Sequence, residues 1–330
     1  MKTITKLNFL IKTCLYRRKA LSLLERRRNL DMFDYLKSSE EIPINYFFAS
    51  TIEEDKFSDF YSIARWLKIF AGISQDTKIP FHIEHGVFFD ESSYNGELNS
   101  PFEQIIVPGD FRVEVLKSEY GKKATAIGPY IAYVESFLTL KQAERLKHKS
   151  GKTLTVFPVH STETVQYKYD IDQYCEGLLK LKQEHKFKTV RICLFYKDIL
   201  KNVHREYQKH GFEIVSAGHM FDPQFLPRLR SVIETSDITC SNAMGTQLAY
   251  CVYLKKPHFI QNQELSCIDP TDEISKESWD AYYSSNDILE AFSTYSQKIS
   301  KKQYELLDFY CGFSRVLGKK WLRELLTKAK

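Results

Sequence analysis

The 330-residue chain has no apolar run of the roughly 18 residues that a membrane-spanning helix needs. It has no internal repeat and no low-complexity tract, which argues against solenoids and fibrous assemblies. Its seven cysteines (Cys14, Cys175, Cys193, Cys240, Cys251, Cys267, Cys311) are odd in number, and none pairs at C-x-x-C or C-x-H spacing. That argues against a disulfide framework or a zinc site and leaves reduced, mostly buried thiols. The segment His82-Ile83-Glu84-His85 lacks the helical i, i+4 histidine pair of H-E-x-x-H, so no metal site is expected. The aromatic-basic stacking motifs of the usual nucleic-acid modules are also missing, and no nucleic-acid partner is expected.

Hydrophobic residues make up 43% of the chain and charged residues 27%, so it can bury a real core and disorder is not its main state. The net charge of +5 is uneven. Residues 1–30 carry Lys2, Lys6, Lys12, Arg17, Arg18, Lys19, Arg26, Arg27 and Arg28 against Glu25 alone, and the final residues carry Lys319, Lys320, Arg323, Lys328 and Lys330 against Glu324. Two basic ends on a near-neutral body suit an anionic surface, and they equally suit solvated helix faces. The start resembles a signal peptide, but Lys12 breaks its apolar core and no small-residue cleavage site follows. Ile4, Leu7, Ile11, Cys14 and Leu15 recur at helical spacing, so it reads as a retained amphipathic helix.

Short β-rich runs alternate with helical stretches, the pattern of an α/β fold with parallel sheets. In the first half, strands are expected at Ile44–Ser50, Ile79–Glu84, Gln104–Val107 and Ala124–Ile127, with helices at Lys56–Phe70 and Thr139–Lys147. The polar break Lys147–Lys152 is the expected domain boundary, dividing the chain into 1–150 and 151–330. In the second half, strands are expected at Thr153–Val159, Thr189–Phe195, Phe212–Ser216, Asp237–Cys240 and His258–Gln261. Helices are expected at Asp172–His185, Asp198–His210, Pro223–Thr235 and Gly245–Leu254, with a helical tail from Asn286. Ligands in such sheets bind at the carboxyl ends of the strands, so the loops after Val159, Ser216 and Cys240 matter most.

The most informative segment runs from Ser236 to Ile260. A strand enters Ser241-Asn242, small residues Ala243 and Gly245 follow, and Thr246-Gln247 open a helix. A helix N-terminus presents unpaired N–H groups and partial positive charge, and small residues let a phosphate approach them. Ser and Asn are also preferred at a plain N-cap with no ligand. This segment resembles the donor-binding motif of GT-B glycosyltransferases of bacterial capsule, O-antigen and lipopolysaccharide biosynthesis. It is also similar to the corresponding stretch of the non-hydrolysing UDP-N-acetylglucosamine 2-epimerases. The resemblance covers residues 150–265. It implies two Rossmann-like domains facing a central cleft, with the C-terminal one holding a nucleotide-sugar diphosphate on Ser241, Asn242, Gly245, Thr246 and Gln247. Many such enzymes carry a ribose-binding Glu in this helix, whereas this chain has Leu248-Ala249-Tyr250. Ribose recognition is therefore expected to differ, and UDP and CMP donors both stay open.

Two further loops are expected at the same edge. His160, Ser161 and Thr162 offer hydroxyls and an imidazole, similar to the histidine motif of GT-B sialyltransferases except that Ser161 replaces their usual proline. Gly218 and His219 end another strand, where a base or ribose would lie. Of Arg228 and Arg230, one is expected to turn to the diphosphate, and Arg230 is the candidate. For the acceptor side, the base candidates are His85, then Asp110, then Glu84, each beside a glycine after a strand. Asp170 and Asp172 form a D-x-D only formally, since they open a helix.

The expectation is thus a cytoplasmic, metal-independent glycosyltransferase, peripheral on the inner membrane. It needs no cofactor beyond its nucleotide-sugar substrate, and its acceptor is a glycan or lipid-linked glycan. A sugar-nucleotide epimerase and a non-catalytic glycan-binding relative are the alternatives.

Overall fold

The computed structural model describes residues 22–42, 56–91, 93, 98–100, 102–161, 166–268 and 287–327. The expected N-terminal helix, the strand at 44–50 and Thr162 lie outside them.

The chain builds two parallel sheets. The first, ordered β1-β2-β3, comprises His82–Ile83 (β1), Gln104–Val107 (β2) and Lys123–Ala126 (β3). The second uses Thr153–Phe157 (β4), Thr189–Cys193 (β6), Glu213–Val215 (β7), Ile238–Ser241 (β8) and His258–Ile260 (β9), all parallel, in the order β7-β6-β4-β8-β9. An antiparallel ribbon of Gln166–Lys168 (β5) and Ser266–Ile268 (β10) lies apart from both. The central strand β4 is buried at all five positions, which explains its unbroken run of β-branched and apolar residues. Counted along the chain, the five-stranded sheet reads 3-2-1-4-5, a doubly wound order that reverses between β4 and β8.

The last helix, Lys319–Thr327, returns to the first half. Leu322 and Leu326 are buried, and the Arg323 guanidinium donates to the carbonyls of Ala71 and Gly72 at the end of the helix Ile63–Ala71. Trp321, expected on the same apolar face, is 64% exposed. One buried cluster contains Ile63, Leu67, Ile83 and Ile106 from the first half, Val215, Leu226 and Val232 from the second, and Leu322 and Leu326. The two halves therefore share a core. At about 1.5–3 kcal/mol per buried Leu-sized side chain, the two tail leucines are a substantial part of that junction.

Two expected helices are interrupted. Lys56–Phe70 divides at Phe60–Ser62, where Tyr61 (φ 57°) and Ser62 (φ 65°) both adopt the left-handed region. Asp198–His210 divides into Tyr196–Leu200 and His204–Lys209, with Asn202 (φ 63°) between. Among the described residues no helix is long and apolar enough to cross a membrane, and Cys175, Cys193, Cys240, Cys251 and Cys311 are buried free thiols.

Candidate functional site

Strand order reverses between β4 and β8, the place at whose carboxyl ends doubly wound sheets carry their ligand crevice. The loop after β4 (Pro158–Ser161) and the turn after β8 (Asn242–Gly245) meet there, where the Asn242 side-chain oxygen accepts the Val159 N–H at 2.7 Å. The turn feeds the helix Thr246–Tyr253, with Gly245 at its N-cap. A Cβ on Gly245 would stand 2.4 Å from the Gln247 amide, which folds back over this position. Gly245, Thr246 and Gln247 are half-buried.

The first half reaches the same point. The loop after β1 brings the Val87 N–H to the Thr246 hydroxyl oxygen at 2.9 Å, and a Cβ on Gly86 would lie 3.0 Å from that oxygen. His85, the first base candidate, is thereby held beside the opening of the Thr246 helix. Burial lowers His85 to about 4, with repulsion from His82 adding to the effect. Burial also lowers His160 to about 4, with Lys197 contributing. Both imidazoles are neutral at pH 7, and the His160 ring lies 4.3 Å from that of Phe195.

The structure separates the other base candidates from this crevice. Glu84 is fully buried and receives the Arg112 Nε–H at 2.7 Å; Arg112 also donates to Ser93 and lies over the Phe88 ring. Glu84 therefore braces the His85–Phe88 loop from behind. Asp110 opens the helix Asp110–Ser118 and is held by two bonds from Arg315, at 2.7 and 2.9 Å. The reason is a closure by the C-terminal segment. A Cβ on Gly312 (φ 65°) would meet the Pro108 carbonyl at 2.2 Å, one on Gly109 the Tyr310 carbonyl at 2.4 Å, and one on Gly128 the Val316 side chain at 2.6 Å. The turn at residues 310–316 thus sits on the carboxyl ends of β2 and β3, while the loop after β1 faces Thr246.

Several donor-side expectations also change. Ser241 is buried, and its hydroxyl donates to the Ala243 carbonyl and contacts His258 Nε2, so it shapes the turn. Asn242 is 2% exposed and serves as the bridge to Val159. Gly218 (φ 94°) and His219 are buried beneath residues 35–38: the His219 N–H donates to the Ser38 carbonyl, and a Cβ on Gly218 would lie 2.8 Å from Arg228. Burial takes His219 down to about 3. Arg230 donates to the carbonyls of Ile131 and Val134 and pairs with Glu234, while Arg228 is buried on Asp222 and the carbonyls of Arg27, Leu30 and Ala217. Both arginines fasten chain segments together. The Ser161 hydroxyl accepts the Tyr167 N–H, tying the β4 loop to β5. Asp170 caps the helix Ile171–Glu184 by accepting the Gln173 N–H, as the helix-opening reading expects.

The sequence reading missed Asp198 and the aromatic rings Phe60, Phe195 and Phe221. Asp198, only 8% exposed, lies by the Ser161 backbone N–H; burial pushes its carboxyl up to about 7 against the opposing pull of Lys201. An aromatic residue just past a strand end, as Phe195 two residues after β6, is the signal that could have marked this edge. Such a position leaves the sheet and has no core face to fill.

No family model matches the chain, and no curated protein matches it in sequence. Among solved structures it is similar to the wall teichoic acid polymerase TagF, soaked with CDPG, at 12% identity and TM-score 0.42 over 71% of this chain and 59% of that one. It is also similar to the UDP-GlcNAc 2-epimerase from Methanocaldococcus jannaschii, at 12% identity and TM-score 0.36 over 69% of this chain and 63% of that one. The matched region thus spans less than two thirds of either protein.

Proposed function

We propose that this chain is a metal-independent glycosyltransferase that moves a sugar from a nucleotide-sugar donor to a glycan or lipid-linked glycan of the cell surface. The observation that carries the reading is the meeting of the β1 loop with the Thr246 helix at the reversal point of the second sheet. One half offers a helix N-terminus suited to a diphosphate, and the other brings to it the loop that carries His85.

In the reaction, the donor diphosphate lies against the first turn of the Thr246–Tyr253 helix. His85 accepts the proton of the acceptor hydroxyl as its oxygen forms a bond to the anomeric carbon. The bond from that carbon to the phosphate oxygen breaks, and the nucleotide, a diphosphate or, from a CMP-sugar, a monophosphate, leaves with the electron pair. Helix-terminal N–H groups and the Lys197 ammonium favour the charge it gains. The basic residues near both ends of the chain, with the exposed Trp321 beside Lys319, Lys320 and Arg323, suit an anionic membrane where lipid-linked acceptors reside.

A thermal-shift screen against UDP-, GDP-, CMP- and dTDP-sugars tests the donor side. At least one is expected to raise Tm, and Gly245→Val is expected to abolish that rise; no response to any of them sinks the reading. Acceptor-dependent release of free nucleotide separates transfer from epimerisation, which releases none in steady turnover.

A further inference from the structure

Residues 27–41 lie across the loop that follows β7. The Ser216 N–H donates to the Met32 carbonyl and the His219 N–H to the Ser38 carbonyl, both at 2.9 Å, while Arg228 holds the carbonyls of Arg27 and Leu30. This packing buries two donors without satisfying them. His219 is 0% exposed and neutral at pH 7, because burial, with Arg27 and Lys197 adding repulsion, disfavours its cation. Its Nδ1 accepts the Phe221 N–H at 3.2 Å, so the ring proton is on Nε2. That Nε2–H has no hydrogen-bond partner among the described residues; a Glu41 carboxylate oxygen stands off at 3.7 Å, too far for a bond. Arg27 is 2% exposed. Its terminal nitrogens reach the carbonyls of Ser38 and Glu40, and its Nε likewise has no partner among the described residues. A buried donor left unpaired is costly, and two of them around the Ser38 carbonyl mark a place that calls for an acceptor.

We propose that His219 Nε2–H and Arg27 form an anion site for a phosphate group, and that the chain's own Glu40 and Glu41 carboxylates cover it as stand-ins for that ligand. Charge selects the occupant. Arg27 and Lys197 are the cations that act on the imidazole, whereas Arg228 is already paired with the buried Asp222 at 2.9 Å. Two carboxylates face them, Glu40 at 3.9 Å from Arg27 and Glu41 at 3.7 Å from His219. Together these carry the charge of a phosphate group, about −1.5 to −2 at pH 7. They are 60% and 64% exposed, so solvent screens their hold, and one phosphate offering several oxygens to the same donors can displace both. In the strand order, β7 lies two spacings, about 10 Å, from β4, so the site flanks the donor crevice without coinciding with it. Lys197 acts on His160 as well and is shared between the two. The inference goes beyond the transferase reading and does not rest on it.

Calorimetric titration of the full chain with inorganic phosphate, and separately with glucose 6-phosphate, tests this. The Glu40→Gln, Glu41→Gln double variant is expected to keep the wild-type Tm and to bind phosphate at least about tenfold more tightly than the wild type. In that background His219→Asn, whose amide oxygen can take the Phe221 N–H but which has no donor at the Nε2 position, is expected to lose at least about tenfold. His219→Gln, whose amide reaches the Nε2 position, is expected to keep the binding. Gly245→Val, at the donor turn, is expected to leave it unchanged. A measurement free of buried substitutions is the NMR signal of the His219 Nε2 proton, expected to move downfield as phosphate is added to the double variant. The tighter of the two ligands tells a phosphate ester from the free ion. Phosphate binding no tighter in the double variant than in the wild type, an unmoved Nε2 proton at saturation, or binding lost in Gly245→Val overturns the proposal.

Discussion

His85 is neutral at pH 7 because burial disfavours its cation, which places its protonation near pH 4 in the folded chain. A base of that kind remains competent well below the usual histidine range. For the free enzyme, kcat/KM is therefore expected to stay flat from pH 8 down to about 5 as far as this group is concerned, with an acid limb below. His85→Asn should lower kcat at least about 100-fold, the low end for losing a general base, while the nucleotide thermal shift persists. An acid limb near 6.5, or wild-type turnover in the variant, would remove His85 from the role. Glu84→Gln supplies the contrast. It leaves the buried Arg112 without its carboxylate, so it should cost about 3–5 kcal/mol of stability and show mainly as a lower Tm. The sequence marked His85 and Glu84 as neighbours but gave no means of dividing their roles. The divider is Arg112, 28 residues further on. Asp110 has its partner at greater range still, since Arg315 lies 205 residues away.

At the scale of elements, local patterns were informative for the mostly buried strands of four or more residues. The apolar runs of β2, β4, β6 and β8 placed those strands to within a residue or two, and the reversal of their order brought the β4 and β8 loops together. Helices broke where packing, not propensity, sets the backbone: at Phe60–Ser62 and at Asn202. The helix expected to start at Pro223 instead runs from Phe225 to Glu234 with Pro227 in its first turn, and Pro223 supplies its carbonyl to the Trp66 indole N–H at 3.0 Å. The closure over β2 and β3 depends on glycines whose need is invisible locally. Gly312 combines a φ of 65° with a Cβ position 2.2 Å from the Pro108 carbonyl, so Gly312→Ala must both strain its own backbone and push the two segments apart. A loss of about 2–4 kcal/mol is expected from strain and overpacking together, measured by urea unfolding. Gly211→Ala tests the backbone component alone, because φ is 75° there and nothing lies within 4 Å of the added Cβ. If the two variants lost the same stability, the close approach would contribute nothing.

Across the whole molecule, the shared core and the buried histidines make stability a function of pH. His219 and His258 are 0% and 3% exposed, and burial lowers each to about 3. Above pH 6.5 neither the folded nor the unfolded chain protonates them, so they add no pH dependence. Between about 6.5 and 3 the unfolded chain binds protons that the folded chain refuses, and stability falls as pH falls, by at most about 1.4 kcal/mol per unit for each histidine. Asp198 acts in the opposite sense: with its carboxyl raised to about 7, the folded chain takes up that proton first, and acidification relieves a cost. Asp222, also raised by burial, adds to that opposing term. His85 and His160 shift in the same direction as the two buried histidines, so the histidines outnumber the two acids. Urea unfolding should therefore show stability declining from pH 7 to pH 4.5, well before ordinary carboxylates titrate in full. His258→Gln should flatten that decline by close to one proton's worth. It should also cost stability at pH 7, because the imidazole bridges Thr239 on β8 and the Ser241 turn at 2.9 and 3.0 Å. A decline of unchanged slope in that variant would mean that His258 protonates in the folded chain. The Ser241–Thr246 turn would then sit on a cation, and the electrostatics of the donor crevice would have to be redrawn around it.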